Sequence, residues 1–373
     1  MSRFVLMAGG TGGHLFPAMA LAQELRRRGH EIHLMTDHRV ADHGGRFPAK
    51  AIHVVPSATP SVRSPVKFLV AGTKITWGIA VAAQKLRGIA PDAVVGFGGY
   101  PVYPPFMAAR LLGIPGLLHE QNAVMGRANR ALASRANALA TSFETTLKAE
   151  AFAAKTTITG NPVRDRVRAV AHAPYPPTGP ADLLRLVVFG GSQGARVFSE
   201  LVPPAIAELP EDLRSRLLVT QQCRPEDLDR VAEAYRQAKV NVELAAFFDD
   251  LPERIAASHL VIARSGASTI AELGVLGRPA ILVPLPGALD ADQKNNALLV
   301  EKAGAGWLME QATLSPSLLA SRLASLLGDP AALIAASGAA AGLGKPQAVE
   351  ALADMAERLA RRSGAKANGA VSR

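Results

Sequence analysis

A histidine follows a glycine-rich turn near the start of the chain, in the sequence Gly9-Gly10-Thr11-Gly12-Gly13-His14. The turn comes after the apolar run Phe4–Met7, which predicts a buried strand, and before a helical pattern. Glycine lets backbone N–H groups approach a ligand closely, and a helix N-terminus favours negative charge. Because an imidazole titrates near neutral pH, His14 is a candidate general base; the alternative is a histidine that caps or packs at the turn.

A second turn of the same kind, Gly190-Gly191-Ser192-Gln193-Gly194, follows another apolar run half a chain later. The first turn does not match a dinucleotide fingerprint, because Leu15 stands where the third glycine is needed. Neither turn ends in the Gly-Lys-Ser/Thr of a nucleoside triphosphate loop. The repeat therefore predicts two domains that each open with a ligand-binding turn of another type.

Short apolar runs alternate with helical patterns along the chain, which indicates βαβ units around parallel sheets. The fold class is α/β, with two Rossmann-like domains whose ligand edges lie at the carboxyl ends of the strands and face a central cleft. Residues 171–180 contain four prolines and are expected to form a linker or long loop between the halves. Strands are expected near 4–7, 31–35, 52–54, 93–96, 116–118, 138–141, 157–159, 186–189, 217–220, 240–244, 260–263, 280–283 and 306–308.

The composition narrows the class of protein. A chain of 373 residues with 41 basic and 31 acidic side chains carries a formal charge of +10, which suggests a nucleic acid, a nucleotide or an acidic membrane surface as partner. The single cysteine, Cys223, excludes an intramolecular disulfide and fits a reducing compartment. No run has the roughly 20 apolar residues of a spanning helix, and the N-terminal run is too short for a signal peptide. We therefore expect a cytoplasmic protein that is soluble or peripheral.

Five motifs occur in one order: Gly9–His14, His119-Glu120-Gln121-Asn122, Gly160-Asn161-Pro162-Val163-Arg164, Gly190–Ala195 and Arg264–Glu272. Together they resemble the MurG family, the UDP-N-acetylglucosamine transferases that convert lipid I to lipid II in peptidoglycan synthesis. The resemblance extends from about Phe4 to the last helix. It implies a GT-B fold, an inverting reaction that needs neither a metal nor a cofactor, and a peripheral position at the cytoplasmic face of the cell membrane.

The resemblance also implies roles for individual residues. The donor carries a diphosphate, which the amides and hydroxyl of the Ser192 turn suit, as does the N-terminus of the helix after Gly266. Glu272 suits the ribose hydroxyls because a carboxylate accepts two hydrogen bonds, and Phe248 offers a backbone contact to uracil. The expected donor-binding residues are Thr11, Gly12, Gly13, Asn122, Arg164, Ser192, Phe248, Ala267, Ser268, Thr269, Ile270, Ala271, Glu272 and Gln293.

The reaction implied by the resemblance requires few catalytic groups. A muramyl hydroxyl of lipid I attacks the anomeric carbon, UDP leaves, and one base removes the proton of the hydroxyl. Direct displacement inverts the configuration. His14 is the first candidate for the base, and Glu120, from the second motif, is the second candidate.

The segment 64–87 has the pattern of an amphipathic helix. At 3.6 residues per turn Lys67, Lys74 and Lys85 fall nearly in line, between an apolar shoulder that includes Trp77 and another that includes Leu86. Such a basic stripe suits anionic headgroups, although the same pattern fits a helix whose lysines face water. Because the implied acceptor is carried on a polyprenyl lipid, we expect Lys67, Lys74 and Trp77 to contact an anionic membrane.

These interpretations assign different binding functions to the two halves of the chain. Residues 1–162, completed by a helix over 346–362, are expected to bind the acceptor and the membrane, and residues 163–345 the UDP-sugar donor; residues 363–373 are expected to be a disordered tail. One alternative is a UDP-N-acetylglucosamine 2-epimerase, which needs no lipid-facing surface. Another is a two-domain sugar-binding protein. Nucleic acid is not expected as a partner, because only 5% of the residues are aromatic and no recognition module is visible.

Overall fold

The chain divides into two α/β units. The computed structural model describes residues 1–9, 12–40, 47–59, 65–179, 182–191, 194–287 and 290–371, and leaves aside the side chains of 40, 65–68 and 363–371. Unit 1 comprises Met1–Asp165 and Lys345–Arg373, and unit 2 comprises Arg166–Gly344.

Thirteen strands in the described residues form two parallel sheets, one in each unit. The expected strands are confirmed to within two residues at each end. Most of them are short apolar runs that are buried in a parallel sheet, whereas those over 51–54, 156–158 and 241–245 are partly exposed at the edges of their sheets. The strands are β1 (Arg3–Met7), β2 (Glu31–Thr36), β3 (Ala51–Val54), β4 (Ala93–Gly96), β5 (Gly116–Glu120), β6 (Ala138–Thr141), β7 (Thr156–Ile158), β8 (Leu184–Phe189), β9 (Leu217–Gln222), β10 (Asn241–Ala245), β11 (Leu260–Ala263), β12 (Ala280–Leu282) and β13 (Gly306–Leu308).

Helices connect these strands. They are α1 (Gly12–Arg27), α2 (Pro65–Ile89), α3 (Tyr103–Leu111), α4 (Arg127–Ala133), α5 (Asp165–Ala169), α6 (Arg196–Ala207), α7 (Glu211–Arg214), α8 (Leu228–Gln237), α9 (Leu251–Ala256), α10 (Ala267–Leu276), α11 (Asp292–Lys302), α12 (Pro316–Leu327), α13 (Pro330–Leu343) and α14 (Ala348–Val371). In unit 1, α1 and α14 cover one face of the sheet, where Leu21 and Leu352 join Phe4 in one apolar cluster. On the other face Val5 and Phe106 belong to a second cluster with residues of α2 and α4.

The two sheets have the same strand order, except that the sheet of unit 1 has a seventh strand, β7. The strand order is β3-β2-β1-β4-β5-β6-β7 in unit 1 and β10-β9-β8-β11-β12-β13 in unit 2. In each, the chain fills one side of the first strand and then returns to fill the other side. The crossovers that leave β1 and β4 therefore diverge, as do those that leave β8 and β11, and each pair opens a crevice at the carboxyl edge of its sheet. The described glycines next to β1 and β8, Gly9 and Gly190, lie at such a crevice.

The proline-rich segment 171–180 is part of unit 2, which corrects its expected position between the halves. Its described residues 173–179 form no regular element, but side chains hold them to the unit. Arg278 donates to the carbonyl oxygen of Pro174 at 2.8 Å, and the His259 Nε2 donates to that of Pro177 at 2.9 Å. A proline-rich strip has few N–H groups but keeps its carbonyl acceptors, so buried donors can fix it.

The C-terminal helix is longer than its sequence suggested. It was expected to end near Arg362, with a disordered tail over 363–373, whereas α14 continues to Val371. The added segment contains three alanines and no proline, so nothing in it forces the helix to stop. The helix is tied to unit 1 by His30, whose Nε2 is 2.8 Å from Oε1 of Glu357.

Candidate active site

His14 is the third residue of α1 and lies beside the turn that follows β4. Its half-buried ring packs against glycine backbone. A Cβ built on Gly99 would lie 3.2 Å from the ring carbon Cδ2, and one on Gly98 would lie 3.3 Å from Cε1. Both glycines have φ in the left-handed region, 89° at Gly98 and 79° at Gly99. A side chain at either position would therefore be strained and would crowd the imidazole. Sequence reasoning missed this pair, although two glycines directly after a predicted strand are a usable signal.

A row of side-chain hydrogen bonds joins His14 to β5. Nδ1 of His14 is 3.0 Å from Oε1 of Gln121. Nε2 of Gln121 is 2.9 Å from Nδ1 of His119 and 2.8 Å from the His119 carbonyl oxygen. Nε2 of His119 is in turn 3.0 Å from the carbonyl oxygen of Gly160. Three of the five sequence motifs thus meet in one hydrogen-bonded row. Gln121, for which the sequence analysis predicts no role, is the central residue of this row.

Glu120 points away from this row and is 1% exposed. Its Oε1 accepts from the backbone N–H of Asn122 at 3.0 Å, and its Oε2 accepts from the backbone N–H of Gly126 at 2.9 Å and from Nδ2 of Asn129 at 2.8 Å. Both oxygens are therefore occupied in holding the loop after β5. A general base must reach the proton that it removes, so this geometry favours His14 over Glu120 as the base.

The other predicted residues of unit 1 lie around the start of α1. Gly12 is half-buried and Gly13 is exposed, and Thr11 lies outside the described residues. Asn122 is half-buried in the loop that Glu120 holds. Arg164 was expected in the donor domain, but it belongs to unit 1, where its guanidinium lies 4.4 Å from the centre of the Phe16 ring.

In unit 2 the turn after β8 is held from the neighbouring strand. The backbone N–H of Gly190 donates to Oε1 of Gln222 at 3.3 Å, and Nε2 of Gln222 donates to the carbonyl oxygen of Ala246 at 3.1 Å. A Cβ on Gly190 would lie 2.3 Å from the backbone nitrogen of Ala195, so this turn requires glycine. Ser192 lies outside the described residues. Gln222, which the sequence analysis did not select, fixes this turn relative to the loop before Phe248.

The N-terminus of α10 presents polar groups at the carboxyl edge of the same sheet. Gly266 precedes the helix and offers no side-chain cap, and the first turn has no acidic residue. The first N–H groups of a helix have no partner within it, so this end suits an anion. Among the described residues, the buried hydroxyls of Ser265 and Ser268 make no hydrogen bond. The predicted residues on this turn are Ala267, Ser268, Thr269, Ile270 and Ala271.

Glu272 follows on the same helix and is only 7% exposed, so it is not the solvated glutamate that a helix surface usually carries. Phe248 is half-buried, with the guanidinium of Arg254 4.6 Å from its ring centre. Gln293, near the start of α11, accepts a hydrogen bond through Oε1 from the backbone N–H of Leu285 at 2.9 Å. These three predicted residues come from the loops and helices that follow β10, β11 and β12.

Arg264 begins the fifth motif, and in the structure it connects loops of unit 2. Its guanidinium donates to the carbonyl oxygens of Val283 and Pro284 at 3.1 and 3.0 Å, and to Oε1 of Gln311 at 2.7 Å. Burial lowers the pKa of this arginine. The guanidinium of Arg264 thus joins the loops after β11 and β12. This contact places the start of α10 beside the segment that leads to Gln293.

The α2 helix is continuous despite its three glycines, Gly72, Gly78 and Gly88, and one of them is required. A Cβ on Gly78 would lie 2.0 Å from the carbonyl oxygen of Pro56. Lys74 is exposed and Trp77 is 64% exposed, whereas the side chain of Lys67 is outside the described set. On the second apolar shoulder expected for this helix, Leu86 is 0% exposed within the core of unit 1, whereas Ile75 and Ile79 are half-buried.

Within the described residues, no group of three or more histidine, cysteine, aspartate or glutamate side chains could hold a metal ion. No single helix there is long and apolar enough to cross a membrane, although the bent pair Pro316–Leu327 and Pro330–Arg362 passes by length and composition. A cavity of about 960 Å³ lies in unit 1 beside the amino ends of β5 and β6, with Arg110, Arg135, Arg358 and Arg362 in its lining. It is at the opposite edge of the sheet from His14 and contains none of the predicted site residues.

Comparison with known proteins covers both units. The glycosyltransferase family 28 N-terminal domain matches residues 4–141, and the glycosyltransferase family 28 C-terminal domain matches residues 185–358. The chain is 51% identical over 357 residues to the UDP-N-acetylglucosamine--N-acetylmuramyl-(pentapeptide) pyrophosphoryl-undecaprenol N-acetylglucosamine transferase of Allorhizobium ampelinum, with 95% of each chain covered. It is 49% identical to the enzyme of the same name from Agrobacterium fabrum, over 95% of this chain and 94% of that one.

Solved structures agree. MurG of Acinetobacter baumannii superposes with a TM-score of 0.77 at 28% identity, over 95% of this chain and 99% of that one. A UDP-GlcNAc 2-epimerase from Neisseria meningitidis superposes with a TM-score of 0.66 at 13% identity, over 94% and 98% of the two chains, which shows a shared fold alone. With both of its domains matched and about half of its residues identical to those of named relatives, the chain belongs to the MurG family of glycosyltransferases.

Proposed function

We propose that this protein transfers N-acetylglucosamine from UDP-N-acetylglucosamine to the muramyl hydroxyl of lipid I and so forms lipid II for peptidoglycan synthesis. The observation that carries the proposal is the 51% identity to the A. ampelinum transferase over 95% of both chains. The family-model matches over residues 4–141 and 185–358 include both glycine-rich turns. The epimerase alternative is supported only by a similar fold.

We assign His14 as the base that removes the proton of the acceptor hydroxyl. Its ring is half-buried at the carboxyl edge of the unit 1 sheet, where ligands of α/β proteins bind. As the muramyl hydroxyl attacks the anomeric carbon, Nε2 of His14 takes the hydroxyl proton, the new C–O bond forms, and UDP leaves with the electrons of the broken bond. This single displacement inverts the anomeric centre. Glu120 supports the adjoining loop and Asn122 offers its amide to substrate hydroxyls.

The donor is assigned to unit 2, within the proposed donor domain 163–345. The diphosphate lies at the turn that contains Ser192 and at the first turn of α10, where free N–H groups and the unpartnered Ser268 hydroxyl supply donors. Glu272 accepts from the ribose hydroxyls, the backbone near Phe248 contacts uracil, and Gln293 contacts the sugar. Arg164, Thr11, Gly12 and Gly13, which belong to unit 1, stay donor-binding predictions from the family resemblance. The N–H and hydroxyl donors at the diphosphate stabilise the negative charge of the departing UDP, and the proposal invokes no metal ion.

We assign membrane docking at the cytoplasmic face to unit 1, within the proposed domain 1–162. The support is an exposed apolar and basic face of α2, where Leu69, Val70 and Trp77 are each at least 60% exposed and Lys74 lies among them. Apolar side chains beside a lysine suit an interface with anionic lipids. Lys67, seven residues before Lys74 on the same helix, stays a predicted contact of this surface.

The decisive assay uses the full-length protein with radiolabelled UDP-N-acetylglucosamine and a short-chain analogue of lipid I. We expect label to enter the acceptor with one UDP released per transfer, and we expect a chelator to leave the rate unchanged. An acceptor analogue with hydrogen in place of the attacking hydroxyl is the matched control and should give no product. Conversion of the donor to its 2-epimer without acceptor would instead identify an epimerase, and donor binding without any turnover would identify a sugar-binding protein.

A further inference from the structure

The row from Gly160 to His14 has only one consistent arrangement of protons. A carbonyl oxygen carries no proton, so Nε2 of His119 must donate to the oxygen of Gly160 across their 3.0 Å contact. His119 is fully buried, and burial lowers its pKa to about 4. The ring is therefore neutral at pH 7, and a neutral ring with a proton on Nε2 has a bare Nδ1.

The bare nitrogen fixes the orientation of the next side chain. Nδ1 of His119 accepts from the Gln121 Nε2 at 2.9 Å, and the second proton of that amide goes to the His119 carbonyl oxygen at 2.8 Å. The flipped amide would place Oε1 against two acceptors at once, so the network excludes it. Oε1 of Gln121 must then face His14, and Nδ1 of His14, at 3.0 Å, must be the donor.

We propose that Gln121 and His119 are positioning residues that hold His14 as the tautomer protonated on Nδ1, so that Nε2 is the proton-accepting atom. The proposal rests on the proposed function, in which His14 is the base. Which nitrogen of a histidine carries the proton is set by the hydrogen bond that the other nitrogen makes. No described residue bonds Nε2 of His14, and a Cβ on Gly99 would lie 3.5 Å from that atom. The free lone pair is thus beside the bare glycine turn.

The surroundings keep the row in place. Asn129, from α4, donates to the His119 carbonyl oxygen at 3.1 Å and to Glu120 at 2.8 Å. Besides His14 and His119 themselves, the described ionisable groups at the row include Glu120, whose carboxylate is turned toward the loop amides, and Lys345, whose side-chain stem lies beside Gly160. The partner of His14 is thus a neutral amide. It orients the ring as a carboxylate would, without the added charge that stabilises an imidazolium.

The first test measures the tautomer directly, without activity. Full-length protein labelled with ¹⁵N-histidine is examined by NMR at neutral pH, and the His14 signals are identified by their loss in His14→Asn. We expect Nδ1 to be of the protonated, pyrrole type and Nε2 to be of the bare, pyridine type. In Gln121→Met, which keeps the shape of the side chain and removes its hydrogen bonds, we expect a mixture of both tautomers. A single Nε2-protonated form in the wild-type protein would overturn the proposal.

The second test is kinetic. Gln121→Met should lower kcat about 10- to 100-fold while the affinity for UDP stays within about twofold, because only orientation of the base is lost. Gln23→Met is the matched control: it removes a glutamine amide from the same unit, on α1, outside the row, and should keep the wild-type rate. Gln121→Glu places a carboxylate beside His14 and should move the acid limb of the kcat/KM profile upward by about one pH unit. An unmoved limb, or equal rates for Gln121→Met and Gln23→Met, would overturn the proposal.

These tests separate the proposal from the function on which it rests. If the expected tautomer is seen but His14→Asn keeps its rate, the row is correct and the assignment of the base is wrong. If His14→Asn is inactive but Gln121→Met alters neither the tautomer nor kcat, the base is correct and the positioning role is wrong. Thermal unfolding of each variant identifies any loss that comes from misfolding.

Discussion

The two units share one strand order, apart from β7 in unit 1, but different groups fill their crevices. In unit 1 the turn after β1 leads to His14, an ionisable ring that Gln121, directly after β5, contacts through a hydrogen bond. In unit 2 the turn after β8 and the start of α10 offer backbone N–H groups and small hydroxyls, with the buried carboxylate of Glu272 further along the helix. The first arrangement suits proton transfer and the second suits an anion attached to a diol.

The shared strand order places a crevice in each unit, and the residues that follow the strands determine which ligand or reaction the crevice suits. Parallel strands of both units end at a crevice for the same geometric reason. A nucleotide diphosphate needs many weak donors, which backbone provides without selectivity for sequence. A base needs one atom in one protonation state, which only specific side chains can fix. The predictions below test this division, beginning with the largest expected effect.

Replacement of the base should separate catalysis from donor binding. In His14→Ala, kcat should fall about 1000-fold, within the range that general bases contribute, while the affinity for UDP changes less than about twofold. Steady-state kinetics and calorimetric titration with UDP measure the two quantities. His172→Ala, which removes an exposed histidine of unit 2, is the control and should match the wild type. A large loss of UDP affinity with kcat retained would make His14 a binding residue and remove the contrast between the units.

The buried ring of His119 should make stability depend on pH. Its pKa is about 4 in the folded protein and about 6.5 in the unfolded chain, so between these values the unfolded state binds more protons and stability decreases as the pH falls. The difference corresponds to about 3 kcal/mol. Urea unfolding of the wild type and of His119→Asn at pH 7 and pH 4.5 should show a smaller loss in the variant. Equal losses in the two proteins would mean that His119 does not remain neutral on folding.

The carboxylate on α10 should matter for donor affinity rather than for turnover. Glu272→Gln keeps the size of the side chain but loses one acceptor oxygen and the charge. The KM for UDP-N-acetylglucosamine should rise about 10- to 100-fold, as expected for a hydrogen bond to a charged group, with kcat changed only a few fold. Glu233→Gln, an exposed residue of unit 2, is the control. A fall in kcat at unchanged KM would give unit 2 a share of the catalytic chemistry.

The smallest effect is expected at the proposed membrane surface. Lys74→Ala should weaken binding to vesicles that contain anionic lipid about fivefold at low salt, since a lysine near such a surface contributes about 1 kcal/mol. Adding Lys67→Ala and Trp77→Ala should weaken it further. Co-sedimentation measures the bound fraction, and Lys302→Ala, an exposed lysine of unit 2, is the control. Equal binding of the triple variant and the wild type would place docking elsewhere.

Features that depend on neighbouring residues in the chain were accessible to sequence reasoning. The strands are short apolar runs, the turns are glycine clusters, and the order of the five motifs led to the correct family. For α2, helical periodicity places Leu86 and Trp77 on two different sides of the helix, but it does not tell which side packs against the protein core. In the structure Leu86 is buried and Trp77 is exposed. The end of α14 was missed because no residue there enforces a stop.

By itself the sequence determined the fold class, the two ligand-binding turns, the family and the identity of the candidate base. Only the tertiary structure decided that Glu120 holds a loop, that Gln121 and His119 orient His14, and that Gln222 and Arg264 fix the loops of unit 2. The reason is that a side chain's role depends on the acceptor that it faces. Those acceptors, such as the carbonyl oxygens of Gly160, Ala246 and Pro284, are backbone atoms that lie far along the chain and that every sequence contains.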